Sequence, residues 1–209
     1  MVANLNNAID QNSYIKPVVL HWPPSMRLVN DQFFEFCQAN KELRIERNAH
    51  GDCEIMAPTG GVTGWRNSGL TAQLYNWAEA EGSGVVFDSS SGFVLPNGAI
   101  RSPDVSWVKK SRLATLTPEQ KQGFLPLCPD FVIELRSPSD NLKTLQDKMQ
   151  EFMENGASLG WLIDTEAKQV LVFKPQKRVF RLDKPEFLSA DEVLKDFELA
   201  MKKIWDFEF

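Results

Sequence analysis

An α/β domain built around a mixed β-sheet is what this sequence predicts, and three observations carry the prediction. Runs with the alternation and apolar content of strands are interspersed with segments whose apolar residues recur every three to four positions. One strand, FVIELR at 131–136, is too apolar for an exposed edge and belongs in a sheet interior. The 209 residues suit one medium domain, and neither an internal repeat nor a low-complexity linker divides them.

Taken in order, residues 1–13 are rich in Asn, Asp, Gln and Ser and read as a flexible N-terminal tail, leaving 14–209 as the single domain. Phe33, Phe36 and Cys37 have helical spacing, with Asn30 or Asp31 placed to cap. LRIER and CEIMAP flank His50-Gly51-Asp52 as a hairpin. PTGGVTG reads as a glycine-rich connection before a helix whose face carries Leu70, Leu74, Trp77 and Ala78, stopped by Gly82-Ser83-Gly84. Strands VVFD, GFVLP with an Asn97-Gly98 turn, and DVSWV follow. Thr117-Pro118-Glu119-Gln120 predicts a cap, a first-position proline and a short helix. After FVIELR, Ser137-Pro138-Ser139-Asp140 caps a helix that ends at Asn155-Gly156. LGWLID and QVLVFK form another hairpin across Glu166-Ala167-Lys168.

Composition removes several classes of function. With 23 basic and 28 acidic residues, the net charge is −5, which excludes nucleic-acid binding by bulk counterion release. A nuclease is not excluded, because bound metal supplies positive charge locally. Only His21 and His50 are present, which argues against zinc sites built on two or three histidines and against His-dependent triads. A metal site here must be made mainly of carboxylates, which suits magnesium or manganese. Cys37, Cys53 and Cys128 form no C-x-x-C pair and no disulfide framework. The N-terminus lacks signal-peptide character, and no apolar run reaches the roughly 18 residues of a membrane span. The expectation is a cytoplasmic protein with no membrane partner.

Two acids attract chemical interest. Strand alternation puts Val132, Glu134 and Arg136 on one face of FVIELR, with Glu134 between the apolar Ile133 and Leu135. A buried carboxylate needs a partner, so Glu134 is either half of a structural pair with Arg136 or a metal ligand. Asp104 opens DVSWV, where aspartate is either a turn cap or a ligand. If the two strands are neighbours, the acids lie within a few ångströms, and like charges about 4 Å apart repel by roughly 4 kcal/mol at an effective dielectric near 20. A shared proton or a divalent cation holds such a pair together. Lys148 falls on the flank of the next helix's apolar stripe, as a snorkelling lysine would.

Pro103-Asp104 followed by Glu134-Leu135-Arg136, with the acids 30 positions apart, resembles the PD-(D/E)xK nuclease pattern. The longer strings PDFVIELRSPSD and LQDKMQEFMENGASLGWLID resemble the family of restriction-endonuclease-type proteins within that superfamily, over about Asp31 to Trp205. The resemblance implies a restriction-endonuclease-like mixed β-sheet core flanked by helices, with additional N-terminal and C-terminal β-hairpins. It implies Mg2+- or Mn2+-dependent hydrolysis of DNA phosphodiester bonds, with Asp104 and Glu134 as metal ligands. Glu46 matches a further early glutamate of the family. Arg136 stands where the superfamily has lysine, leaving the cationic role to Lys148 or Arg136, and Asn67 stands where many members have histidine. Arginine is a poor proton-transfer group, so the alternative is a nuclease-like domain that binds nucleic acid or protein without cleaving. A third reading, a carboxylate hydrolase of small molecules, requires a preformed pocket. A homodimer would suit double-strand cleavage.

Overall fold

The computed structural model describes residues 17–207, so the expected tail over 1–13 lies outside the described residues. The chain begins with β1 (Val18–Leu20), α1 (Asn30–Ala39), β2 (Arg44–Arg47) and β3 (Cys53–Met56). β2 and β3 are the antiparallel hairpin expected around His50-Gly51-Asp52, and Gly51 at φ 89° takes the left-handed turn position. Next come α2 (Gly61–Glu81), β4 (Gly84–Asp88), β5 (Phe93–Val94), β6 (Ile100–Arg101) and β7 (Val105–Lys109). Short helices α3 (Lys110–Leu113) and α4 (Pro118–Gln122) lead into β8 (Phe131–Arg136), α5 (Leu142–Glu154), β9 (Leu159–Asp164) and β10 (Gln169–Phe173). The chain ends through β11 (Phe180–Asp183), β12 (Phe187–Ser189), β13 (Glu198–Ala200) and α6 (Lys202–Trp205).

Two main sheets result. A five-stranded antiparallel sheet runs β1-β3-β2-β6-β5, and a six-stranded mixed sheet runs β11-β10-β9-β8-β7-β4, with β12 and β13 as a separate C-terminal hairpin. β8 and β9 pair in parallel, because α5 carries the chain back over the sheet between them. As its apolar sequence predicts, β8 is interior, hydrogen-bonded to β7 on one side and β9 on the other.

Alternation along β8 assigns its two faces. Phe131, Ile133 and Leu135 join Val105, Trp107 and Trp161 in a core closed by Leu70, Leu74 and Ala78 of α2 and by the C-terminal hairpin and α6. Val132 and Leu162 face the other way, against Met149, Phe152 and Met153 of α5. Each such large side chain removed from water contributes about 1.5–3 kcal/mol. Gly160 lets α5 approach β9: a Cβ there would sit 2.4 Å from Met149 Cε and 3.2 Å from Val132 Cγ2. This seating delivers Lys148, at the middle of α5, to Glu134 of β8.

Three expected boundaries shift. Neither Asn30 nor Asp31 caps α1; Val29 is the cap, its N–H donating to Gln32 Oε1 at 3.2 Å, while Asn30 Oδ1 accepts from Arg47 Nη2 at 2.5 Å. The second half of PTGGVTG is not connection but the first turn of α2, which starts at Gly61. The cap of α5 is Asn141, whose Oδ1 accepts from Thr144 N at 3.2 Å; Asp140 instead closes a turn with Ser137 N at 2.8 Å. The Thr117 cap with Pro118 at the first position is as expected. No helix among the described residues is long and apolar enough to cross a membrane.

Candidate active site

The strand register brings the two acids together. β7 and β8 pair as Val105↔Ile133, Ser106↔Val132 and Trp107↔Phe131, so one step further Asp104 falls opposite Glu134. Asp104 sits just before β7, not within it, and its chain bends so that Oδ2 accepts from Leu135 N at 2.8 Å. The bond ties Asp104 across to β8 beside Glu134. Oδ1 accepts from Asn67 Nδ2 of α2 at 3.3 Å and lies 3.7 Å from Arg44 Nη2 of β2. Asp104 and Glu134 are 7% and 4% exposed, so both carboxylates are held largely out of water.

Lys148 completes the group and is not a snorkelling surface lysine. Its Nζ lies 2.8 Å from Glu134 Oε1 and donates to Glu46 Oε1 at 3.0 Å. Lysine and Glu134 are close enough for an ion pair but misaligned for a hydrogen bond, which leaves the buried Oε1 without an aligned donor. Glu46 is committed on both oxygens: Oε1 also accepts from Ser102 N at 3.1 Å, and Oε2 from Arg101 Nη1 at 3.2 Å. It therefore anchors Lys148. Arg101 reaches further, to Glu54 Oε2 through Nη1 and to Glu151 Oε2 through Nε, both at 2.6 Å. Since Glu151 is one turn beyond Lys148 on α5, Arg101 clamps that helix to the five-stranded sheet.

Arg136 is not the partner of Glu134. It lies at the end of β8, where the parallel register sets it opposite Asp164, and its Nη1 contacts Asp164 Oδ2 at 2.9 Å and Glu166 Oε2 at 3.3 Å. The lysine from α5 takes the place next to Glu134 that strand alternation alone assigns to the arginine. Sequence reasoning missed Arg44, Arg101 and Glu151, because two of them sit on a different sheet and none belongs to a local motif. The one available signal was the Arg44/Glu46 alternation in β2, which puts opposite charges on one strand face.

The charges do not balance. Five carboxylates (Glu46, Glu54, Asp104, Glu134 and Glu151) meet three cations (Arg44, Arg101 and Lys148), an excess of two negative charges. Burial, together with repulsion from Asp104 and Glu46, pushes Glu134 from 4.5 to about 7 in spite of Lys148. Burial also raises Asp104, against the pull of Arg44. Burial would raise Glu46 as well, but Lys148, Arg101 and Arg44 overcome it and lower its pKa. Lys148 would be lowered by burial and is instead raised by Glu134 and Glu46, so it is held as an ammonium. The excess thus collects on Glu134 and Asp104. No group of three His, Cys, Asp or Glu side chains is gathered as a metal cluster among the described residues. Two buried carboxylates side by side suit a magnesium-type ion that completes its shell with water and substrate oxygens.

A mixed sheet with paired acids at the mouth of its central strands, and a lysine brought over them by the crossover helix, defines a restriction-endonuclease-like class of fold. The family model Uma2, described as "Putative restriction endonuclease", matches residues 30–202, and the chain belongs to that family. The chain is similar in structure to a putative nuclease belonging to DUF820 from Anabaena variabilis, with a TM-score of 0.68 and 19% identity, over 85% of this chain and 97% of that one. At that identity the likeness speaks for the fold. No curated protein matches the chain.

Proposed function

We propose that the protein is a metal-dependent endonuclease that hydrolyses phosphodiester bonds in DNA. The observation that carries this reading is the convergence of Asp104, Glu134 and Lys148 in a buried cluster whose carboxylates outnumber its cations. Asp104 and Glu134 would hold Mg2+ or Mn2+, whose chemistry is to polarise a phosphoryl oxygen and lower the pKa of water. Lys148, kept charged by Glu46 and Glu134, places an ammonium where charge grows on the attacked phosphate. Glu46 and Arg101 act on that lysine by fixing its position. Arg44 spans Asp104 and the Ser102 carbonyl and holds the aspartate in place. Arg136 is occupied by Asp164 and Glu166, so its presence in the superfamily's lysine position leaves the cationic role filled.

The test is nicking of supercoiled plasmid and cleavage of labelled oligonucleotides in Mg2+ and in Mn2+. Wild type should cut, while Asp104→Asn and Glu134→Gln, folded by their melting curves, should lose activity on the order of 10²-fold or more. No cutting with either metal would refute the proposal. Retained oligonucleotide binding in that case would identify a module that binds without cleaving.

A further inference from the structure

Two arginines of the five-stranded sheet are buried to the same depth and paired very differently. Arg101 of β6, 8% exposed, is met by three carboxylates at 2.6–3.2 Å. Arg47 of β2, 7% exposed, has no carboxylate within ion-pair distance among the described residues. Strand alternation puts it on the face opposite Glu46, with Ile45, Cys53 and Ile100 against Phe33 of α1. Its guanidinium donates to Leu28 O and Gly98 O at 2.9 Å and to Asn30 Oδ1 at 2.5 Å, and lies 5.2 Å from the centre of the Phe33 ring. These partners satisfy N–H groups but are neutral, so the charge itself stays unpaired. The ionisable groups that act on it are Cys37 and Cys53, thiols that burial pushes up, Cys37 to about 11, and at neutral pH they carry no charge. A buried charge calls for an opposite one.

Arg47 lines a pocket of about 330 Å3 bounded by residues 27–30, the hairpin turn at Ala49 and Gly51, and Gly98. Arg27 lines it as well, and it too has no carboxylate partner among the described residues. The stem of Arg27 crosses the bare turn: a Cβ at Gly51 would sit 3.0 Å from its Cδ and 3.1 Å from its Nε. No acid lines the pocket, which therefore holds two positive charges in a chain whose net charge is −5. Of the nearby acids, Asp52 is turned to His21 Nδ1 and Trp22 N, and Asp31 of α1 is outside the lining. The pocket also takes in the start of α1, where the cap, Val29, has no side-chain oxygen to offer the first-turn N–H groups. Its volume lies at the small end of the roughly 300–1,000 Å3 of ligand sites, which suits one compact anionic group. Two guanidinium forks match the several oxygens and double charge of phosphate better than a single carboxylate.

We propose that this pocket binds a phosphate group between Arg27 and Arg47, on the face of the five-stranded sheet opposite the acids. The group belongs either to free phosphate and small phosphomonoesters or to a nucleic-acid backbone, and the two sources are separated by experiment. None of its residues belongs to the candidate active site, so the inference stands apart from the nuclease reading. Binding of inorganic phosphate to the full chain is measured by calorimetry in EDTA, at an ionic strength held constant with chloride. Binding of a labelled duplex oligonucleotide is measured by anisotropy in the same buffer. The variants are Arg27→Ala and, as a control for general charge, Arg178→Ala, an exposed arginine outside the pocket. Arg27 is itself exposed, so its loss should leave the melting temperature in chloride unchanged. Saturable phosphate binding that Arg27→Ala weakens at least about 10-fold, with duplex binding equal in both variants, supports the site with a small phosphate as its ligand. Duplex binding weakened about 10-fold by Arg27→Ala and much less by Arg178→Ala supports it with the nucleic-acid backbone as the source. If Arg27→Ala binds both probes like wild type, or loses no more than Arg178→Ala, or if wild type binds neither, the proposal is overturned, whatever the outcome of the cleavage assays.

Discussion

Replacing Glu134 by glutamine tests the electrostatics of the site without needing activity. In the folded protein, burial and the neighbouring Asp104 and Glu46 raise this carboxyl from 4.5 to about 7. Between those two values the native state keeps a proton that the unfolded chain has lost. Stability from this group is therefore fully present below about pH 4.5 and is lost as pH rises through about 7. At about 1.4 kcal/mol per pKa unit, the full change is about 3 kcal/mol, an upper figure because local relaxation would soften it. Asp104, also raised, contributes with the same sign, whereas Glu46, which is lowered, contributes stability that is lost only on acidification. The assay is urea unfolding in EDTA at about pH 5, 6 and 7.5, for wild type and Glu134→Gln. Wild type should lose about 2–3 kcal/mol across that range and the variant should lose far less. Parallel pH profiles for the two proteins would refute the assignment of the excess charge to Glu134.

Three further outcomes follow from the same network. Lys148→Met takes from the interior the one cation in contact with Glu134 among the described residues and should destabilise the fold by roughly 3–5 kcal/mol at neutral pH and by less near pH 5, where Glu134 is protonated; denaturant melts at both pH values check it. Arg136→Ala takes the cation from Asp164, which is 1% exposed, and should cost about 3 kcal/mol, the low end for a broken buried pair because Asp164 keeps the N–H groups of Glu166 and Ala167, and it should leave the pH dependence assigned to Glu134 unchanged. Millimolar Mg2+ or Mn2+ should raise the melting temperature of wild type, by about 1.4 kcal/mol of stability at tenfold its dissociation constant, and Asp104→Asn should abolish the gain in a thermal scan.

What could be read from the sequence follows a physical boundary. The interior position of β8, the β2–β3 and β9–β10 hairpins and the Asn97-Gly98 turn are written in local alternation and turn chemistry, and they are all present. The proximity of Asp104 and Glu134 was legible for a similar reason: a carboxylate amid Ile133 and Leu135 demanded company, and a second acid stood at the start of a candidate neighbouring strand. Helix caps were misplaced by one residue at Val29 and Asn141, since several polar residues in a row compete for the same N–H groups. The ion network was not legible. Arg101, on a two-residue strand, and Arg44 and Glu46 all come from the five-stranded sheet, and their meeting with α5 depends on how the two sheets fold over each other.

The position of the lysine shows why a motif read along one strand misleads. Glu134 needs a cation on its own side of the sheet, and β8 offers Arg136 two residues on, with the correct alternation. But the next strand runs parallel and ends in Asp164, which is 1% exposed and needs a cation itself. A short sideways reach satisfies that demand, and Arg136 takes it. The face over Glu134 is then covered by α5, whose seating on Gly160 fixes which residue arrives there. Lys148 is that residue, and Glu46 and the Arg101–Glu151 clamp keep it from drifting off along the helix flank. The charge that the proposed chemistry calls for is thus tied to a spatial position over β8, and either a strand or a helix can supply it.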